Sequence, residues 1–475
     1  MDTSRLIAWP GDWTRRQRQF FAVAFAAGLG WNLFVLLSST GWSLDDELSH
    51  YLRSRSVWEN PALIFDSWTR IGRNIFHFLP AHFGLTVTRI STLAFAAVSV
   101  LITTSLAIKL GARRAWLIPL TLWFQPWFVE LSWGVLTQTP FLLCLVAGLW
   151  LLASQRWVLS GLCFGTLPLI RHEGLALLAL WVFLLASRAI FSRSPKIPLL
   201  ALAALTGALP LIASNVAAWI FLGEWPARIF LNSKPTDLYG HGAIWHFLPI
   251  SFLPAGPFTV ILAVLALPGL LRHWRITWPL LFYPAYFALH SMIYWLGLFA
   301  SGGYYHFLMP MAPCLAVAAV FGADACLDAR NCWLPLAGRA LLIGAVGQGI
   351  ILLHVHTMQY WSGSPQGLGL TREPIHSALQ DALDWQALHR PGAPAVVCRH
   401  IYAAYARDWI ETPARGHTNA LPLRELPAAS IIIWENKYSE LTGVHRDELT
   451  ADSEWREQAV FNDGNVRVFE KCNHP

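Results

Sequence analysis

Long apolar runs separated by short polar connections make up the chain to about residue 358, and the pattern changes after that point. Reading runs of about 17 to 25 residues as membrane spans, and admitting shorter or tilted ones, predicts about eleven helices. They fall at 20–39, 85–108, 115–129, 139–153, 157–170, 174–190, 198–222, 249–270, 277–296, 306–322 and 335–355. The pairs within 115–153 and 157–190 are short enough that two of these helices could be re-entrant. Beyond residue 360 no run is long enough to span. Short apolar runs at 394–398 and 430–434 instead predict buried strands, 401–409 a short helix, and 460–469 a hairpin around Asn462-Asp463-Gly464-Asn465. The expected architecture is an α-helical polytopic membrane domain over 1–358, with an outer loop at 41–84, followed by a small soluble α/β domain over 359–475. The stretch SGSPQGLG at 362–369 would link the two.

Composition supports that division. Only 13% of residues are charged and 55% are hydrophobic, whereas soluble domains carry roughly 25% charged residues, so most of the chain is solvated by lipid. The 25 Trp residues suit membrane interfaces. A net charge of +6 raises the question of nucleic acid, but Lys and Arg form no dense run and lie mostly between apolar segments, where they act as topology signals. They favour a cytoplasmic N-terminus, an odd number of spans and an extracytoplasmic C-terminal domain, as in an inner-membrane protein. No small-residue cleavage site follows the first span, so that span is expected to stay in place. Cys398 and Cys472, each at the end of a predicted strand, could form a disulfide in an oxidising compartment; the other five cysteines show no paired metal-ligand spacing.

The most informative polar feature is Asp45, Asp46 and Glu47, which open the outer loop directly after the first span. They can be read as the acidic first turn of a helix, favoured by its dipole, or as working carboxylates at a membrane surface. The length of the loop and its company, Arg70, Arg73, His77 and His82, favour the second reading. A carboxylate beside guanidinium groups is what a reaction on an acidic, lipid-borne phosphate needs. Arg171, His172 and Glu173 interrupt the apolar stretches at an outer helix end, either as an Arg171–Glu173 pair closing the turn or as an anion site. The stretch Gly302-Gly303-Tyr304-Tyr305-His306 is either an interfacial aromatic belt or a close approach of backbone to a phosphate, with Tyr305 or His306 donating. Glu130, Tyr239 and His241 are further outer-side candidates. No ligand spacing calls for a metal.

Taken in order, several of these stretches resemble the GT-C superfamily of glycosyltransferases that use polyprenyl-phosphate sugars, in particular a bacterial branch related to protein and lipid mannosyltransferases. They are the Asp45-Asp46 pair, Trp68-Thr69-Arg70-Ile71-Gly72-Arg73, Leu136-Thr137-Gln138-Thr139-Pro140-Phe141, Arg171-His172-Glu173-Gly174, Tyr239-Gly240-His241-Gly242 and 301–308, SGGYYHFL. The resemblance covers residues 1 to about 320 in architecture. It implies that Asp46, or Asp45 with the register shifted by one, activates an acceptor hydroxyl, with Glu47 as helper. Beside it, Arg171, His172, Arg73, Arg70, Tyr305 and His306 are the candidates to hold the donor phosphate, and Glu130, Gln138, Glu173, Tyr239 and His241 the candidates for the acceptor side or the pocket. At position 138 this chain has Gln where relatives often have Glu. The implied partners are a polyprenyl-phosphate sugar, the bilayer and an extracytoplasmic glycan, lipid or protein acceptor. No cofactor is expected, although some members use a divalent metal. A transporter or flippase of lipid-linked or polar solutes is the alternative; the lack of an inverted repeat and the gathering of carboxylates on one outer loop argue against it.

Overall fold

A computed structural model describes residues 13–42, 45–66, 70–191, 197–223, 225, 240–298, 302–330, 332–355, 373–409 and 423–472. The 362–369 linker, Tyr239 and the Trp68-Thr69 step therefore lie outside the described residues.

Helix α1 runs Arg15–Ser38, starting five residues before the apolar run. The cause is a capping box: Thr14 Oγ1 accepts the Gln17 amide at 3.3 Å, and Gln17 Oε1 accepts that of Thr14 at 2.9 Å. This recruits the polar turn Arg15–Gln19 into the helix. The outer loop is itself folded, as α2 (Asp45–Ser56) and α3 (Ile71–Ala81), before α4 (Leu85–Lys109) returns to the membrane. Asp45, Asp46 and Glu47 do open a helix, as the dipole argument expects.

The other predicted spans are helical, with two breaks. Residues 115–129 form only short pieces, including α5 (Ile118–Leu122) and α6 (Pro126–Leu131). Pro126 cannot continue the preceding turn. The backbone carbonyls exposed there are covered by Gln125, whose Nε2 donates to Thr121 O at 2.7 Å and Ala312 O at 3.2 Å. Next come α7 (Gln138–Ala153), α8 (Trp157–Ile170), α9 (Gly174–Phe191) and α10 (Ile197–Leu222). Gly161 and Gly165 of α8 let α10 approach until a Cβ at Gly165 would lie 2.1 Å from Gly207 O, a small-residue seam of the kind that packs membrane helices.

The second break divides 249–270 into α11 (Phe247–Ala255) and α12 (Pro257–Arg272), bent by 110° at Gly256. A single straight span is thus corrected to a sharply bent pair. Gly256 has φ of 90°, a value open to glycine, and prolines at 254 and 257 flank it. Gln348 closes this break from the next layer, accepting the Phe258 amide at 3.1 Å and donating to Thr259 Oγ1 at 2.7 Å. Helices α13 (Phe282–Trp295), α14 (Ala312–Leu327) and α15 (Trp333–Val355) complete the membrane part. Among the described residues five helices are long and apolar enough to span alone, six if the bent pair counts as one span.

The C-terminal domain has the predicted elements. Strands β1 (Val396–Cys398), β2 (Ile431–Glu435), β3 (Trp455–Phe461) and β4 (Val466–Lys471) form one sheet ordered β1-β2-β4-β3. The first pair is parallel and the others antiparallel. Helix α16 (Pro374–His389) packs Leu379 and Leu383 on Ile431, Ile433, Val466 and Val468. Strand β1 leads into α17 (Ile401–Ala406). Cys398 and Cys472 are both free thiols, so the disulfide the sequence left open is not formed.

One buried ion pair joins α2 to the membrane helices. Glu47, with no exposed surface, accepts from Arg89 Nε at 2.8 Å and Nη2 at 2.9 Å, and from the Val135 amide at 3.1 Å. Arg89→Met would strand a buried carboxylate and should cost about 3–5 kcal/mol. Thermal unfolding in detergent would measure this loss, and adding Glu47→Gln should recover much of it.

Candidate functional site

Several polar side chains from distant parts of the sequence line one cavity of about 500 Å³. Asp46 and His50 come from α2, Arg70 from the start of α3, Thr137 from the start of α7, Arg171, His172 and Glu173 from the turn between α8 and α9, and His290 from α13. Leu175, Leu289, Ile293 and Leu296 form an apolar wall on the side of α9 and α13.

The turn at 171–173 is held in place from three sides. Arg171 is extended at the end of α8, three residues after Pro168. Its Nη1 donates to Thr137 Oγ1 at 2.9 Å, its Nη2 to Glu173 Oε1 at 2.7 Å, and its guanidinium lies 5.0 Å from the centre of the Phe307 ring. The opposite relation holds His290: its ring stacks on Phe307 at 5.7 Å with an 11° interplanar angle, and its Nε2 is 3.6 Å from Glu173 Oε1. Burial works against the Glu173 charge, but Arg171, then His290, hold the carboxyl below its usual range. The pair expected for this turn therefore exists, and it faces the cavity.

Arg70 has φ of 69°, a conformation that costs a non-glycine residue of order 1–3 kcal/mol and persists only where the surroundings impose it. Its Nη1, Arg171 Nε and both His290 ring nitrogens are buried without a hydrogen-bond partner among the described residues. Buried polar atoms are normally paired, so Arg70 Nη1, Arg171 Nε and the N–H of the His290 ring mark a place that can receive an oxyanion. Burial followed by the neighbouring Arg70 charge pushes His172 down to about 3, leaving it neutral at physiological pH. Burial and then the Arg73 charge also hold His50 well below its ordinary value.

Asp46 is exposed by area, yet the space it faces is walled by protein rather than bulk water. This loss of hydration, reinforced by the adjacent Asp45 charge and opposed by Lys437, pushes its carboxyl up to about 6.

Other sequence candidates lie off the cavity. Asp45 turns into the C-terminal domain and Glu47 towards Arg89. Arg73, with no exposed surface, donates to Ser54 Oγ at 2.7 Å and Asn74 Oδ1 at 3.0 Å, which ties α3 to α2. Tyr305 OH donates to the buried Glu130 at 3.3 Å, while His306 is buried between Tyr304 and Phe307. From the 301–308 stretch it is Phe307 that reaches the cavity. Gln138 is buried beside Thr137, and His241 lies exposed on its loop. Sequence reasoning missed His290, though an ionisable residue inside an apolar run is itself a signal.

Asp45, His376 and His400 bring potential metal-ligand atoms within 4.8 Å of one another, outside the cavity. Each histidine accepts a backbone amide at Nδ1, from Glu373 at 3.2 Å and Tyr402 at 3.1 Å. That assigns the proton of the neutral ring to Nε2, which then donates towards Asp45 instead of coordinating. The Lys437 ammonium at 2.7 Å from Asp45 completes a hydrogen-bonded cluster that does not suit a cation.

No family model matches the sequence, and no curated protein matches it. The structure is similar to the crystal structure of ArnT from Cupriavidus metallidurans bound to undecaprenyl phosphate. The TM-score is 0.61, with 12% sequence identity and coverage of 94% of this chain and 97% of that one. At that identity the likeness speaks for the fold. The chain is a multi-pass membrane protein with the GT-C fold and a small C-terminal sheet domain.

Arg70 and Arg73 of the outer loop should behave oppositely. Arg70→Met removes a poorly paired buried cation and should leave the melting temperature unchanged or higher. Arg73→Met strands its buried acceptors and should cost about 1–3 kcal/mol. Thermal unfolding of both variants in one detergent tests the contrast.

Proposed function

We propose that this protein is a glycosyltransferase that moves a hexose of the mannose type from a polyprenyl-phosphate carrier to an extracytoplasmic acceptor hydroxyl on a glycan, lipid or protein. The observation that carries the reading is the cavity itself: a carboxyl with raised proton affinity shares it with arginine and histidine nitrogens that lack hydrogen bonds, beside an apolar wall. An acidic lipid phosphate would supply the missing acceptors, and its prenyl chain would suit the apolar side. The GT-C fold and the neighbour's bound undecaprenyl phosphate support the same donor class.

In the proposed reaction the acceptor oxygen attacks the anomeric carbon while the bond to the phosphate oxygen breaks on the opposite face, inverting the centre. Asp46 takes the hydroxyl proton as the new bond forms. Arg70 and Arg171 meet the negative charge that grows on the departing lipid phosphate, and neutral His172 can donate to it without competing for the Asp46 proton. Glu173 and Thr137 hold the Arg171 fork in one orientation, so its charge is in place before reaction. The sidedness read from the Lys and Arg pattern puts this cavity and the C-terminal domain outside the inner membrane, where lipid-linked sugars are consumed.

The test is transfer from a radiolabelled polyprenyl-phosphate hexose by purified protein in nanodiscs, with membrane extract as acceptor. Asp46→Asn should fold normally and lose at least about 100-fold in rate. Undiminished transfer by that variant would remove Asp46 as base, and no transfer by wild type with any donor would favour a transporter.

The base must be ionised to accept a proton. A carboxyl raised to about 6 is mostly protonated below that pH, so wild-type transfer should climb with pH through about 6. A rate that is flat from pH 5 to 7.5 would contradict the assignment.

A further inference from the structure

We propose that Lys437 of the C-terminal domain is a positioning residue for Asp46, acting through Asp45, so that transfer requires this domain to be docked on the outer loop. The inference rests on the reading of Asp46 as the base.

Asp45 immediately precedes Asp46 on α2, yet its side chain is held by hydrogen bonds from the C-terminal domain. Oδ2 accepts from Lys437 Nζ at 2.7 Å and Tyr438 OH at 2.7 Å, Oδ1 from His376 Nε2 at 3.1 Å, and His400 Nε2 stands 3.8 Å away. Trp42, three residues upstream, is held by the same domain: its ring stacks on Tyr402 at 5.4 Å and lies 4.7 Å from His376. Trp42 and Asp45, on the N-terminal side of Asp46, are therefore both held by groups more than 330 residues away.

Lys437 is placed by its own strand. Glu435 ends β2 with no exposed surface, and its carboxylate accepts the Lys437 amide at 2.8 Å and the Ser439 amide at 2.7 Å. That turn aims the Lys437 and Tyr438 side chains at Asp45. The contact neutralises a carboxylate that would otherwise stand beside Asp46 with its full charge. Burial alone would raise the Asp45 carboxyl, but the His376 hydrogen bond, then the nearby His400 and Lys437, hold it well below its usual range.

The groups that face Asp46 are Asp45 and His50 on its own helix, Lys437 from the C-terminal domain, Arg70 from α3, Arg171, His172 and Glu173 from the α8–α9 turn, and His290 from α13. Two of them can be changed without touching the cavity lining. Losing the Asp45 charge makes Asp46 easier to ionise, and losing the Lys437 charge makes it harder. A clamp that only held the fold together would lower activity in both variants without moving their pH dependence in opposite directions.

The experiment follows the proton on Asp46 directly. A hydrophobic carbodiimide modifies carboxyls only in their protonated form, and mass spectrometry can read the extent at Asp46 as a function of pH in the full-length protein in nanodiscs. Relative to wild type, Asp45→Asn should move the labelling midpoint down and Lys437→Met should move it up, each by about one pH unit, and Lys437→Arg should leave it within a few tenths. The acid limb of the transfer profile should move with each midpoint. Coincident midpoints in wild type, Asp45→Asn and Lys437→Met would overturn the proposal. If Lys437→Met does not fold, the Asp45→Asn midpoint decides alone, and an unmoved value overturns it. Opposite shifts together with undiminished transfer by Asp46→Asn would keep the coupling and discard Asp46 as base. Unmoved midpoints with an inactive Asp46→Asn would keep the base and discard the coupling.

Discussion

Three consecutive carboxylates at the start of α2 face three different environments, and the outer half of the molecule is organised around that divergence. Successive residues on a helix point about 100° apart, so Asp45, Asp46 and Glu47 cannot share one partner. Glu47 turns inward to Arg89 and the Val135 amide and fixes α2 to the membrane helices. Asp45 turns to Lys437, Tyr438 and His376 and fixes it to the C-terminal domain. Asp46, between them, is left facing the cavity. A helix anchored on both sides of one residue presents that residue with little freedom, which is the condition a proton acceptor needs when reacting atoms must meet within hydrogen-bond reach.

The membrane domain obeys a related constraint. Backbone that leaves the helical pattern inside lipid must find new hydrogen-bond partners within the protein. Both interruptions are met by glutamine side chains, Gln125 at the break before Pro126 and Gln348 at the bend after Gly256. These amides let the chain turn where a continuous helix would have filled the interior. A bend of 110° between α11 and α12 is therefore an arrangement with its polar cost met locally, and the layer that supplies Gln348 is part of it.

How much of this could be read from the sequence differs by feature, for physical reasons. Apolar run length located almost every helix, because lipid imposes length and hydrophobicity directly. It did not disclose the Gly256 bend, since a run of apolar residues reads the same whether straight or folded back. The C-terminal strands were legible because short apolar runs and turn residues are local signals. The site was half legible. Charge in an apolar context picked out Asp46, Arg70, Arg171, His172 and Glu173, all of which line the cavity. The same signal drew in Arg73 and Glu130, whose partners Ser54 and Tyr305 lie 19 and 175 positions away. A lone sequence cannot distinguish a buried charge that is already paired from one that awaits a ligand.

That distinction is what separates structure from chemistry here. Arg89 spends its hydrogen bonds on protein acceptors, and its burial is compensated within the fold. Arg70 Nη1, Arg171 Nε and the His290 ring do not, although all are buried. Leaving such atoms unpaired costs of order 1–3 kcal/mol each, and these sit on residues that line a single cavity. Donors held in place with no partner need no rearrangement when an anion arrives, so binding returns the stability that folding gave up. Because Glu173 balances only part of the positive charge of Arg70 and Arg171, the arrangement favours a ligand whose negative charge increases as it reacts, as a departing phosphate does.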